Sequence, residues 1–586
     1  VINTLNALWS AASAVQQAPR VFGSLQPLLA ASPAASTAPV ATPLPTASLP
    51  AVTAPAASLA PATPAPVVST PAPTTTPATT APTGIDLPSV LLSTVVWATT
   101  LAALIIIFLP ERTAEQRGRI RAIALAGAGT SLALTLVTMG SAVSLGVAAT
   151  PDQLHEENAS WITHFAFTIH YHLSVDGVSL SLLTLSTLVF ASVFVAAWKR
   201  QDRVRLYCGL LLVAETAVNG ALCSADLVLF ILFFALQAVP LYLLIRCFGG
   251  AGRERAALRA GVAWAVSSAL VLVAFLLVIV HSGTASSDLN DILTTTSPLV
   301  DKVAVAAFWL AFAGLAMGFV IVPLHTLFLD GATVASSGVA AIVSGVLVRL
   351  CGYAMLRFAL GLFPAQAQRY GTALMVLAVL SAVWGALVTL VQPTLRRMVA
   401  AVTIGQMSLV LLAISAPNTI SLDGAVLQLV AGGLSSALLL LLCGIIEGRT
   451  RSAPLGRLGG LAGQAPHLSA FWLVACLAAL GAPLLAGFSA ELMLFTGAFP
   501  IHPYATAFVM ASTALTTAAL VWSAHHVFMG PIREEFARVR DATALELTYL
   551  WPLVVFLVAF GLLAGRVVPA IGTGLTRIVS SLGAGQ

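Results

Sequence analysis

Apolar runs of about twenty residues recur from about residue 88 to about residue 570, and this repetition limits the fold more than any other feature. A hydrocarbon layer about 30 Å thick is crossed by roughly twenty apolar helical residues. Inside lipid every backbone N–H and C=O must be satisfied within the protein, which leaves helices or a closed barrel. Segments of alternating polarity are missing, so a barrel is not expected. Only 8% of the residues are charged, against roughly 25% in soluble domains. The chain reads as an all-α polytopic membrane protein with about fourteen transmembrane helices.

Five segments follow from the pattern. Residues 1–85 form an Ala/Pro/Thr-rich tail, as in Pro73-Thr74-Thr75-Thr76-Pro77, which is expected to be disordered because it cannot bury enough apolar surface. It lacks the charged start and continuous apolar core of a signal peptide, and since the sequence opens on Val1 its true start is left open. Residues 86–200 hold helices one to three, 201–365 helices four to eight, and 366–530 helices nine to thirteen. Residues 531–586 hold a loop, helix fourteen and a C-terminal tail.

Loop charge supports this order. Most of the 27 Lys and Arg residues fall in loops after odd-numbered helices, such as Arg112 to Arg121, Lys199 to Arg205 and Arg246 to Arg259. Alternate loops are acidic or neutral, as at Glu156, Glu157 and Asp288 to Asp291. Basic loops stay in the cytoplasm, so both termini are expected outside, in a multi-pass protein of a bacterial cytoplasmic membrane. The net charge of +5 is thus a matter of topology and does not point to nucleic acid. The six cysteines lie in or beside apolar helices without metal-binding spacing, so no metal or iron–sulfur centre is expected.

Two spans are interrupted. Gly314 to His325 contains Gly318 and Pro323, and Gly481 to Glu491 contains Pro483 and Gly487. Backbone groups freed in mid-membrane must face protein or a watery cavity. The breaks fall in helices seven and twelve, five apart, and an odd offset inverts the second copy. Two inverted five-helix repeats are therefore expected, with two unrelated proline kinks as the alternative.

The residues between these landmarks resemble a known family. Val175-Asp176-Gly177-Val178-Ser179-Leu180, Ala225-Asp226-Leu227-Val228-Leu229-Phe230, Val239-Pro240-Leu241-Tyr242, Val322-Pro323-Leu324-His325-Thr326 and Gly433-Leu434-Ser435 fall in the order seen in the proton-channel membrane subunits of NADH:quinone oxidoreductase, and most resemble subunit M. The similarity runs from about residue 160 to about residue 530. It implies a central axis of Glu, Lys and His that passes protons through water. It also implies other membrane-arm subunits as partners, and no NADH, flavin, quinone or iron–sulfur site in this chain. The chain would be a subunit of a translocase without a redox centre or other cofactor of its own.

Mid-membrane ionisable groups are costly and mark candidate sites. By the resemblance, Glu491 matches the terminal glutamate, and Arg349 stands at the central lysine. Arginine cannot relay a proton by losing one. The helix-five glutamate falls at Ala235, the helix-seven lysine at Gly318, and two histidines at Gln406 and Gly432. The only lysines, Lys199 and Lys302, lie at membrane edges. Glu215 is a candidate substitute, either paired with Arg349 or bonded to a neighbouring hydroxyl or amide. His325 completes the candidate pathway, while His525 and His526 are expected at the interface.

Three functions follow from the resemblance. The first is proton translocation coupled to electron transfer within an NADH:quinone oxidoreductase or related complex. The second is a structural paralogue that has lost conduction, for which Ala235, Gly318 and Gly432 argue. The third is a subunit of a cation/proton antiporter or of an inorganic-carbon uptake system.

Overall fold

The computed structural model describes residues 90–145, 155–162, 167–284, 286–294, 300–450, 454–531, 534–536 and 539–583; the 1–85 tail lies outside the described residues. Helices dominate: α1 (Leu91–Ile107), α2 (Ala114–Leu145), α3 (Gly177–Ala196), α4 (Val204–Cys223), α5 (Leu227–Leu236), α6 (Ala238–Phe248), α7 (Arg253–His281) and α8 (Asp301–Phe319). They continue with α9 (Thr326–Val334), α10 (Ser337–Leu360), α11 (Gly371–Leu390), α12 (Leu395–Ser415), α13 (Thr419–Thr450) and α14 (Pro466–Ala479). The last four are α15 (Ala486–Ala498), α16 (Pro503–Phe528), α17 (Ala544–Leu562) and α18 (Ala564–Gly583). Among the described residues, 12 spans are long and apolar enough to cross a membrane, and α1 and α14 are shorter apolar helices.

The bundle is inverted relative to a soluble protein only on its outside. Leu101, Leu104, Leu258, Val262, Leu387 and Phe508 stand exposed, as a lipid-facing surface requires. The centre is α10, α12 and α13, which are buried along nearly their whole length. Small residues let these helices touch. A methyl group at Gly433 would fall 2.6 Å from Gly345 O, so the backbones of α10 and α13 cross in direct contact. Two π-helical stretches, Val343–Leu347 and Met355–Leu360, bracket the α-helical Val348–Ala354 in α10. Such stretches re-aim side chains and recur at functional sites.

Both expected interruptions are present. The first separates α8 from α9 at Val320, whose φ is +63°. The freed N–H of Val322 donates to Ser381 Oγ of α11 at 3.1 Å, so a neighbouring helix satisfies it. The second separates α14 from α15, with Gly481 at φ +64° and Leu484 at +74°.

The two family-like aspartates turn out to be helix caps. Asp176 forms a capping box with Ser179 at the start of α3, and Asp226 accepts from Val228 N and Leu229 N at the start of α5. Asp176 also holds Arg357 of α10 in a buried ion pair.

Two features depart from the sequence reading. Strand β1 (His155–Ile162) pairs antiparallel with β2 (Ile169–Val175), forming a hairpin where no strand was expected. Its polar–apolar alternation is too short to stand out beside twenty-residue spans. The region assigned to a C-terminal tail instead contains the amphipathic helix α18, which packs across α3 and α13 on the hairpin face. Its apolar residues are spaced to cover one stripe, so they do not form the continuous run that marks a span.

The hairpin is strapped down at both sides. Glu157 accepts from Leu92 N at 2.7 Å, at the start of α1. His172, fully buried, bonds Asp288 through Nδ1, and Glu156 Oε1 lies 2.9 Å from Nε2 as a charge contact. Burial alone lowers the His172 pKa, but Asp288, Glu156 and Asp226 outweigh it and hold it above the ordinary histidine value. Burial likewise pushes Asp288 up, but the His172 bond wins and lowers it. The histidine therefore stabilises the strap fully below its unfolded pKa of about 6.5, and this contribution is lost as pH rises through the raised folded value. Hydrogen exchange of residues 155–162 and 167–175, corrected for intrinsic rate, should be slowest in mild acid and speed up towards alkaline pH. His172→Gln should abolish that dependence.

Candidate functional site

Arg349 lies in the middle of α10, fully buried. An isolated charge there is costly, so its hydrogen bonds must come from neighbouring helices. Its Nη2 donates to Gln406 Oε1 at 2.6 Å and to Ser436 Oγ at 3.3 Å, and Nη1 reaches Met407 Sδ. Ser436 also donates to Gln406 Oε1 at 3.1 Å, and Gln406 Nε2 donates to Ser435 Oγ at 3.4 Å. The guanidinium is thus held by an amide, a hydroxyl and a thioether, with no carboxylate bonded to it among the described residues.

The glycine at 432 belongs to this arrangement. A methyl group there would fall 3.0 Å from both Arg349 Nη2 and Gln406 Oε1. The longer, planar guanidinium occupies the room a side chain at 432 would need. Gly318 has a similar cause: a methyl group there would fall 2.4 Å from Cys351 Sγ. No lysine fits at 318 unless Cys351 moves. Ala235, by contrast, is exposed on the outside of the bundle.

Gln406 joins Arg349 to Glu491. It lines a small cavity of about 20 Å³ together with Ser408, Ser512, Thr516 and Glu491. That is room for about one water molecule among polar partners. Glu491 projects from α15 just past the helix break, and Gly481 abuts its carboxylate: a methyl group there would fall 2.7 Å from Oε2. The left-handed backbone at Gly481 and its missing side chain together admit the acid to the break.

Glu215 lies elsewhere. It is fully buried in α4, and neither carboxylate oxygen has a hydrogen-bond partner. The expected Glu215–Arg349 couple is not formed, and the alternative bond to a hydroxyl or amide is also absent. Its neighbours are engaged with one another: Thr216 with Thr99, Asn219 with Ser186 and Ser131, and Gln237 Nε2 with Ala214 O. Gln237 Oε1, fully buried as well, is unpaired. His325 is nearly buried at the first break, where Nε2 accepts from Trp384 Nε1 at 3.0 Å. That bond places the imidazole proton on Nδ1. Arg349 and Glu491 therefore share one polar track, while Glu215 and His325 stand apart from it. Ser435, Ser436, Ser512 and Thr516 also belong to the track. Hydroxyls are common in these helices, and no sequence signal sets these four apart.

Gly432→His in the presence of Arg349 should overpack the site and cost about 1–3 kcal/mol. Adding Arg349→Lys should recover part of that loss, as read by thermal unfolding of the purified protein in mild detergent.

The family described as NADH:quinone oxidoreductase/Mrp antiporter, TM, matches residues 224–517. NAD(P)H-quinone oxidoreductase chain 4 1 of Synechococcus sp. (strain JA-3-3Ab) is 33% identical over 398 residues, covering 68% of this chain and 74% of that one. NADH-quinone oxidoreductase subunit M of Rhodobacter capsulatus is 28% identical over 445 residues, covering 74% and 86%. Among solved structures, a chain of respiratory complex I from Thermus thermophilus superposes with a TM-score of 0.74 at 25% identity, covering 83% of this chain and 99% of that one. A chain of the Mrp complex from Dietzia sp. DQ12-45-1b, at 20% identity and a TM-score of 0.70, shares the fold, covering 85% and 98%. With the profile matched through both broken helices and the polar track between them, this chain belongs to the NADH:quinone oxidoreductase/Mrp antiporter transmembrane family.

Proposed function

We propose that this chain is a proton-translocating, subunit M-like component of the membrane arm of an NADH:quinone oxidoreductase or related complex. It works beside other membrane-arm subunits and surrounding lipid, in a bacterial cytoplasmic membrane, driven by electron transfer elsewhere in the complex. Fourteen crossings place both termini outside, and residues 201–365 and 366–530 act as inverted repeats carrying one half-channel each. The observation that carries this reading is the line from Arg349 through Gln406 and the cavity to Glu491.

The roles divide by chemistry. Glu491 is the group that binds and releases a proton, because a carboxyl can do both. Arg349 keeps its proton and supplies a fixed positive field at the inner end of the cavity. Gln406 orients its carbonyl to the arginine, leaving its amide N–H groups for the Ser435 and cavity side. Glu215, in the first repeat, is the second exchangeable carboxyl, and His325 sits at the break that its half-channel uses.

A second reading, a non-conducting structural paralogue, is favoured by the same Arg349, by Cys351 filling the space beside Gly318, and by Ala235 facing outward. Reconstitution of the complex that co-purifies with this chain separates the two. Under the first reading Glu491→Gln lowers proton pumping several-fold, and Glu215→Gln also lowers it, with assembly intact. Unchanged pumping in both variants assigns the chain to the structural role.

A further inference from the structure

Helix α18 lies over two buried acids. One is Asp176, where a methyl group at Gly574 would fall 2.9 Å from Cγ, and whose charge is answered by Arg357. The other is Asp423 in α13, where a methyl group at Gly572 would fall 3.7 Å from Oδ1. Asp423 is only 6% exposed, and its Oδ1 has no hydrogen-bond partner. No cation pairs with it among the described residues. A cap or an ion pair explains Asp176; neither explains Asp423.

Its position adds a second observation. The hairpin-face half of α13 is pressed against α15: a methyl group at Gly424 would fall 2.7 Å from Leu494 N and 3.0 Å from Ala490 O, and one at Gly497 would fall 2.5 Å from Ser421 N. Asp423 precedes Gly424, and Glu491 follows Ala490, so each acid is next in sequence to a residue of this contact. Gln428, further along α13, is also buried with Oε1 unpaired. Buried polar atoms left without partners are rare and need a reason. Here two of them lie on α13, the helix that packs against both α15 and α18, and Asp423 is the one beneath α18.

We propose that Asp423 is the last proton-carrying group of the second half-channel, accepting the proton that leaves Glu491 and releasing it beneath α18 at the hairpin face. This rests on the translocation reading above. Glu491–COOH gives its proton to water and becomes a carboxylate. Water gives one proton to the Asp423 carboxylate, which becomes the neutral acid. Asp423 then loses that proton to water at the hairpin face, and Glu491 is reprotonated from the cavity side. Only O–H bonds form and break, and no oxidant or reductant is consumed. The bare backbone at Gly572 leaves the carboxyl covered without sealing it behind a side chain.

The test uses the reconstituted complex with Asp423→Asn, Glu491→Gln, the double variant and Asp423→Glu. Asp423→Asn should reduce pumping to the level of Glu491→Gln, and the double variant should lose no more than either single one, because both act in series. Asp423→Glu, which keeps an ionisable group, should restore pumping with its pH profile displaced. Full pumping in Asp423→Asn beside a loss in Glu491→Gln overturns the proposal and leaves the translocation reading standing. Full pumping in both overturns the two together. Should Asp423→Asn fail to assemble, Asp423→Glu decides: a displaced pH profile supports the proposal, and a native profile overturns it.

Discussion

A guanidinium in mid-bilayer must find its hydrogen bonds within the protein, and much of the centre of this bundle is arranged around Arg349. Its partners come from α12 and α13, so the three helices must lie close enough for an amide, a hydroxyl and a thioether to converge. The contact of Gly345 with Gly433 provides that closeness, and the bare Cα of Gly432 provides room for the charge itself. Replacing one member of the set strands the others, since a buried charge that loses a donor or acceptor costs several kcal/mol.

A permanent charge changes what the centre can do. A lysine in this place could alternate between charged and neutral forms; arginine supplies a constant field. A carboxyl, by contrast, can both bind and release a proton, and Glu491 lines the same small cavity as Gln406, the arginine's own partner. The helix breaks open backbone inside the membrane and close it locally: Val322 N–H donates to Ser381 Oγ at the first, and Ala482 N–H donates to Leu477 O at 2.9 Å at the second.

The hairpin face has a different logic. There buried acids and histidines find partners of opposite charge, as in His172 with Asp288. Strap and lid both end on this face, the strap tying α1 to the loop before α8 and α18 covering the ends of α3 and α13.

Much of this was legible from residues alone. Apolar runs of bilayer length announce membrane helices because lipid admits few other structures. Gly and Pro in mid-span marked both breaks, and the order of motifs pointed to the family. Glu491 could be singled out because an acid beside a mid-membrane break is costly to bury and rarely kept there without a role. What the sequence could not reveal was which polar groups meet. Glu215 and Arg349 could be paired on paper, yet Arg349 bonds Gln406, Met407 and Ser436, and neither Glu215 oxygen has a partner. The hairpin and α18 were missed because their apolar residues alternate or form a stripe, patterns weaker than a continuous run. The sequence by itself determined the solvent, the helices and their interruptions, since these depend on local composition and backbone chemistry. Only the tertiary structure decided that Gly432 makes room for an arginine, that Cys351 excludes a side chain at 318, and that Asp423 lies unpaired under a C-terminal lid. Those outcomes depend on distances between helices far apart in the chain, which no local pattern encodes.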